Sequence, residues 1–190
     1  YQSETLFIGD SNTVRLYANG LISLQQFCAK EGIGTHAALN EGIVTFKKDS
    51  STYTIAQAVA KMKPRRVVIM LGTNDVKERF NANAACIGAG MERLIQKCKT
   101  VDCWGGKEPN ILVVAPPRIK EGFHDEVMGD GCVEKSKGVA GWYKIIAERN
   151  NVHFLDAEGC EFNQIDFMHL TRKGHAQLAE KLAELVPTLL

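Results

Sequence analysis

Three short polar motifs carry the residue types that nucleophilic catalysis by a serine needs. Residues 9–12 read Gly-Asp-Ser-Asn, residues 72–75 read Gly-Thr-Asn-Asp, and residues 166–169 read Asp-Phe-Met-His. A serine hydroxyl is a poor nucleophile until a histidine takes its proton and a carboxylate orients that histidine. Each motif alone is common. Their order along the chain, and the apolar run directly before each of the first two, favour an activated serine.

Ser11 is the candidate nucleophile, His169 its general base and Asp166 the group that orients His169. The three-residue spacing lets one loop supply both the acid and the base. The alternative for Ser11 is a helix N-cap, a common use of serine before a helix. His175 is a rival base, but it lies inside the last predicted helix, where a packed or exposed histidine is commoner. The remaining histidines are not part of an Asp-x-x-His motif: His36, His124 and His153.

Acyl transfer also needs hydrogen-bond donors at the oxyanion of its tetrahedral intermediate. The backbone N–H of Ser11 and the side-chain amide of Asn74 are two candidates. A glycine N–H would be a third, because glycine allows close backbone approach. Gly34 is the preferred glycine, with Gly32 and Gly42 as alternatives, and a simple turn explains Gly34 equally well.

Size and charge narrow the class of protein. The chain has 190 residues, enough for one domain over residues 1–190 with a substantial core. Its net charge is +1, with acids and bases interspersed, so no nucleic-acid partner is expected. No apolar run approaches the roughly 20 residues that a membrane-spanning helix needs.

Neither the cysteines nor the first residue determines the cellular compartment of the protein. The even number of cysteines, six, permits disulfides, and Cys98 with Cys103 would close a small loop. Their spacing fits no zinc pattern, so no metal is expected. The chain begins at Tyr1 rather than Met, which a leader removed from a secreted or cell-surface protein would explain; a cytoplasmic location stays open, as does the oligomeric state.

Short apolar runs alternate with amphipathic stretches along the chain. Strands are predicted over residues 6–8, 26–30, 67–71, 111–115 and 152–155, although residues 26–30 are also compatible with the end of a helix capped at Gly32. Helices are predicted over 54–62, 82–98, 136–148 and 171–185, the last with Thr171 as N-cap. Continuous apolar runs are typical of parallel strands covered on both faces. The pattern predicts an α/β fold with an open, doubly wound parallel sheet. Ligands of such sheets bind at the carboxyl ends of the strands, where Ser11 and Asn74 fall.

Residues 116–132 are expected to form a mobile loop over the site.

The ordered motifs resemble the SGNH (GDSL) hydrolase superfamily of esterases and lipases over nearly the whole chain. The resemblance implies a flavodoxin-like three-layer α/β/α sandwich without metal or cofactor. It implies Ser11 as nucleophile and oxyanion donor, Asn74 as oxyanion donor, His169 as base and Asp166 as its orienter. Residues 31–35 match the glycine block of the family only loosely. Residues 69–77 and 113–117 are similar to bacterial aryl- and acetylesterases.

We therefore expect a metal-independent serine ester hydrolase acting on small esters, such as O-acetylated carbohydrates. A short acyl group is expected because aromatic residues make up 7% of the chain and no long apolar lid is evident. One alternative is a non-catalytic carbohydrate- or cell-wall-binding domain on the same scaffold. Another is an acyl thioesterase or lysophospholipase, which would use the same machinery.

Overall fold

The computed structural model describes residues 4–35, 38 and 44–189. The strands of these residues are β1 (Thr5–Gly9), β2 (Phe27–Ala29), β3 (Thr45–Lys48), β4 (Ser51–Thr54), β5 (Arg66–Met70), β6 (Ile111–Ala115) and β7 (His153–Asp156). The helices are α1 (Ser11–Ala18), α2 (Ile55–Met62), α3 (Ala84–Lys99), α4 (Cys132–Lys137), α5 (Val139–Arg149) and α6 (Arg172–Leu185). The strands form one seven-stranded sheet in the order β4-β3-β2-β1-β5-β6-β7.

The central strand β1 is parallel to both of its neighbours, β2 and β5, and the parallel pairing continues through β6 to β7. Every residue of β1, β5 and β6 is buried, which explains why these strands read as continuous apolar runs. The predicted α/β class and parallel core are confirmed.

Alternation along β1 separates two helical layers. Leu6 and Ile8 belong to a core cluster that includes buried side chains of α2, α3 and α5. Phe7 points to the opposite face, where it joins a second cluster with Leu16 of α1 and Leu178 of α6. The predicted three-layer α/β/α arrangement is therefore confirmed. One outer layer contains α1, which begins at Ser11, and α6.

The sheet also contains an antiparallel hairpin, β3–β4, that the sequence prediction did not include. Lys48 pairs with Ser51, so the connecting loop is two residues long, and Asp49 adopts a positive φ of 54°. Two-residue hairpin loops favour such left-handed residues. β3 adds to the edge of β2 through Ala29 and Lys47. The sheet is thus mixed rather than entirely parallel.

The predicted helix 136–148 corresponds mainly to α5, but its first two residues belong to the separate short helix α4, and Gly138 lies between the two helices. Gly138 ends α4 and precedes α5, and a Cβ built on it would lie 2.8 Å from Cβ of Ala84. The junction therefore packs closely against the start of α3. The other predicted helices and strands match the observed ones to within a few residues.

Across the residues that the structure describes, none of the helices is both long and apolar enough to cross a bilayer.

We predict that Gly9→Ala destabilises the protein while Gly141→Ala does not. A Cβ on Gly9 would lie 2.6 Å from the backbone oxygen of Met70 and against the side chain of Thr13. Such overpacking typically costs about 1–3 kcal/mol. A Cβ on Gly141, within α5, meets nothing within 4 Å. Alanine there should add up to about 1 kcal/mol through helix propensity.

The measurement is the free energy of unfolding in urea for the two variants and the wild type. A Gly9→Ala protein as stable as the wild type would show that the end of β1 has more space than the structure gives it.

Candidate active site

Ser11 is the first residue of α1 and follows β1 by one residue, at the carboxyl edge of the sheet. The N-cap of α1 is Asp10, whose Oδ1 accepts a hydrogen bond from the N–H of Asn12 at 3.0 Å. The N-cap interpretation of Ser11 is therefore wrong, because its neighbour fills that position. Ser11 lies in the first turn, where the helix offers no acceptor for its backbone N–H.

The side chains of Ser11, His169 and Asp166 form one hydrogen-bonded line. Ser11 Oγ lies 3.3 Å from His169 Nε2, and His169 Nδ1 lies 3.0 Å from Asp166 Oδ2. The carboxylate accepts the Nδ1–H proton, so Nε2 carries the lone pair that can accept the serine proton. The structure thus brings together the predicted nucleophile, base and orienting acid; their catalytic roles stay a prediction.

Asp166 is held by the turn that carries His169. Its Oδ1 accepts the backbone N–H groups of Met168 at 3.0 Å and His169 at 2.9 Å. Phe167, between them, adopts a left-handed φ of 50°. Partial burial acts to raise the pKa of Asp166, but hydrogen bonds from His169 and Met168 outweigh it and the pKa is lowered. The carboxylate therefore stays ionised beside the imidazole at neutral pH.

Asn74 follows β5 and lies next to the end of β1, because Gly9 and Met70 pair across the sheet. Its Nδ2 donates to Oδ2 of Asp10 at 3.2 Å and to the backbone oxygen of Ile33 at 3.0 Å. A primary amide has two N–H groups, so both are in use. An oxyanion would have to replace one of these acceptors.

Three glycines are candidates for the third oxyanion donor: Gly34, Gly32 and Gly42. The Ile33–Gly34 peptide is trans, so the N–H of Gly34 points opposite to the Ile33 oxygen and hence away from the Asn74 amide. Gly34 packs against Asp75, whose Cγ would lie 2.6 Å from a Cβ on this glycine. Gly32 has a positive φ of 71° and open space around it. Gly42 lies outside the described residues.

Asp10 is a buried carboxyl group, 1% exposed, between Asn12 and Asn74. Burial raises its pKa from 3.8 to about 7, and the charge of Asp75 acts in the same direction. Protonated and ionised forms of Asp10 are thus both accessible near neutral pH. The sequence prediction gave Asp10 no role; its position directly before the candidate serine was the available signal.

The rival base His175 is 1% exposed, and its Nδ1 donates to the backbone oxygen of Thr171 at 2.9 Å. Burial lowers its pKa, so this histidine stays neutral. Thr171 is the predicted N-cap of α6, accepting from the N–H of Gly174 at 3.0 Å. His175 therefore serves as a packed helical residue.

His124 is not part of an Asp-x-x-His motif, but the structure gives this histidine a carboxylate partner further along the chain. His124 Nδ1 lies 2.9 Å from Asp130, in an exposed segment of the loop before α4. His153 lies in β7, and His36 falls outside the described residues.

The loop expected over the site, residues 116–132, is anchored at its first half. The ammonium of Lys120 lies 2.6 Å from Glu158, and the N–H of Arg118 donates to the same carboxylate at 3.0 Å. The backbone N–H of Lys120 donates to the oxygen of Phe167 at 3.2 Å. This half of the loop therefore supports the turn that carries Asp166.

A serine, a histidine and a carboxylate lie in a hydrogen-bonded line at the carboxyl edge of a three-layer α/β/α sheet, which is the arrangement that nucleophilic catalysis by a serine needs. The chain belongs to the GDSL-like lipase/acylhydrolase family, whose model matches residues 7–177. The predicted membership of the SGNH (GDSL) superfamily is confirmed, and the protein is an ester hydrolase.

Solved structures share this fold over almost the whole chain. Est24, a carbohydrate acetylesterase from Sinorhizobium meliloti, is 27% identical, with a TM-score of 0.77 over 98% of this chain and 99% of that one. The M. smegmatis aryl esterase is 24% identical, with a TM-score of 0.74 over 98% and 99%. Axe2, an acetyl-xylooligosaccharide esterase from Geobacillus solved as a mutant, is 20% identical, with a TM-score of 0.62 over 95% and 92%. No curated protein matches the sequence.

Proposed function

We propose that this protein is a metal-independent serine esterase that works through an acyl-enzyme, with the 190 residues acting as one catalytic domain. The observation that carries the proposal is the hydrogen-bonded line from Ser11 Oγ through His169 to Asp166. A non-catalytic domain does not need an ionised carboxylate, a histidine of defined tautomer and a serine at the start of a helix to be hydrogen-bonded in this order.

Catalysis takes place in two steps at the same atoms. Ser11 Oγ attacks the ester carbonyl while Nε2 of His169 takes its proton, and the proton then passes to the leaving alcohol as the C–O bond breaks. A water molecule next attacks the acyl-enzyme while His169 takes its proton, and the proton then passes to Ser11 Oγ as the acyl–Oγ bond breaks and the carboxylic acid leaves. Asp166 stabilises the imidazolium formed in each step, because its ionised carboxylate faces Nδ1.

The oxyanion donors need one rearrangement before they converge. The Ile33 oxygen accepts from Asn74, where a developing oxyanion would compete for the same N–H. Rotation of the Ile33–Gly34 peptide would release Asn74 and turn the Gly34 N–H toward it. Glycine tolerates the resulting change in φ of about a half-turn. With the Ser11 N–H, the predicted set of three donors would then be complete.

A short acyl group, such as acetyl on a carbohydrate, is the proposed substrate. Support comes from the similarity to the carbohydrate acetylesterase Est24 and from the low aromatic content of 7%. The acyl thioesterase and lysophospholipase alternatives share the same chemistry, and the non-catalytic binding domain shares the scaffold alone.

We predict that Ser11→Ala and His169→Ala each lower p-nitrophenyl acetate turnover by at least about 10³-fold, the scale of losing a triad member. Wild-type Ser11 should also be labelled by a fluorophosphonate. His124→Ala is the matched control, because His124 also lies 2.9 Å from a carboxylate but on an exposed loop. Its activity should equal that of the wild type.

Turnover that survives Ser11→Ala would contradict the proposal. A folded wild type with neither labelling nor turnover would favour the non-catalytic binding domain.

For the acyl group, we predict that kcat/KM falls steadily from acetyl to octanoyl p-nitrophenyl esters. The reason is the low aromatic content of 7%, which leaves few large apolar side chains to bury additional methylenes. A rise with chain length, measured below the critical micelle concentration, would instead support the lysophospholipase alternative.

The oxyanion rearrangement predicts a specific difference between two crystal structures, free and phosphonylated at Ser11. In the adduct, Nδ2 of Asn74 and the N–H of Gly34 should each lie about 3 Å from the phosphonyl oxygen, the usual hydrogen-bond distance. The Ile33 oxygen should have turned away. An adduct in which Asn74 still donates to Ile33 would exclude the rotation while leaving the esterase proposal intact.

A further inference from the structure

Lys77 places its ammonium group against the back of the Asn74 amide. Nζ of Lys77 donates to Oδ1 of Asn74 at 2.8 Å, in the turn that follows β5. The two N–H groups of the same amide face the opposite way, toward Asp10 and Ile33. Lys77, together with the acceptors on Asp10 and Ile33, therefore determines which end of the Asn74 side chain faces the site.

The contact requires partial desolvation of the Lys77 ammonium, which a lysine on the surface would avoid. Lys77 is half-buried, and desolvation together with repulsion from Arg79 lowers its pKa. The hydrogen-bond partner of its ammonium is a neutral amide oxygen rather than a carboxylate. A flexible four-carbon stem would otherwise let the charge move into water. The charges of Asp10 and Asp125 attract the ammonium, but its short hydrogen bond is to the Asn74 amide, so the position of Lys77 acts directly on Asn74.

Two physical effects follow for the amide. First, a 180° turn of the Asn74 side chain would set its NH₂ group against the ammonium, so Lys77 excludes that rotamer. Second, a positive charge at the amide oxygen draws electron density from the nitrogen, because hydrogen bonds in a network polarise one another. Both N–H groups then become stronger donors. An oxyanion, which carries a full negative charge only during reaction, would benefit more than the ground-state carbonyl.

We propose that Lys77 is a positioning residue for ester hydrolysis, which holds and polarises the Asn74 amide so that it donates to the oxyanion. The inference rests on the proposed esterase function and adds to it a residue that acts through Asn74 without touching the substrate. Because the benefit arises in the transition state, Lys77 affects kcat rather than KM.

The test compares Lys77→Met and Lys77→Arg with the wild type on p-nitrophenyl acetate, together with inhibition by phenylboronic acid, whose tetrahedral serine adduct mimics the intermediate. Lys61→Met is the matched control: Lys61 also donates to a neutral oxygen at 2.8 Å, the Tyr53 hydroxyl, on the surface. Thermal unfolding verifies that each variant folds.

Lys77→Met should lower kcat by about 10- to 100-fold, less than the 10²–10³ typical of deleting an oxyanion donor outright. KM should stay within about twofold, and the boronate inhibition constant should rise in parallel with the loss of kcat. Lys77→Arg should recover most of the activity, since a guanidinium can donate to the same oxygen. Lys61→Met should match the wild type.

The inference is overturned if Lys77→Met keeps the wild-type kcat, if its loss appears in KM alone, or if boronate affinity does not change. Failure of the esterase proposal itself looks different, because the wild type then shows neither turnover nor labelling. In that case the side-chain amide signals of Asn74 in ¹⁵N NMR still decide the positioning role. Lys77→Met should shift these signals and Lys61→Met should not; unchanged signals would exclude the role.

Discussion

The buried carboxyl group of Asp10 links the two strand ends on which the site is built. It caps α1 through Asn12 and accepts from Asn74, which follows the neighbouring strand. Without this cap, the N–H of Asn12 in the first turn of α1 would lose its acceptor, and the position of Ser11 would be less well fixed. A buried carboxyl is costly in isolation, and the raised pKa of about 7 reflects that cost. The pairing of β1 with β5 is what makes the arrangement possible, because it brings these strand ends side by side.

The two halves of the site differ in how they are formed. The acid–base half is local: one turn holds Asp166 against His169 through backbone and side-chain hydrogen bonds. The oxyanion half depends on segments far apart in the chain, with Asn74 meeting the oxygen of Ile33. The first half is assembled in this structure. In the second half, both N–H groups of Asn74 donate to protein acceptors, and in the proposed mechanism the oxyanion has to replace one of them.

Much of the fold could be read from the sequence because buried parallel strands leave continuous apolar runs, as at residues 111–115. The hairpin β3–β4 was not predicted because its strands are short and their residues are half-buried or exposed, with the exception of the buried Phe46. The short helix α4 was not predicted, and its boundary with α5 lies at Gly138, which packs closely against Ala84 of a distant segment.

The sequence by itself determined the order and types of the chemical groups and the strands that precede them. Local motifs sufficed for this, since Ser11 follows an apolar strand and Asp166 lies three residues before His169. Only the tertiary structure decided what each group faces: Asp10 rather than Ser11 as the cap, Lys77 behind Asn74, and the Ile33 oxygen before it. The physical reason is that hydrogen-bond direction depends on which distant backbone and side-chain atoms the fold brings within 3 Å or so, and sequence spacing carries no such information.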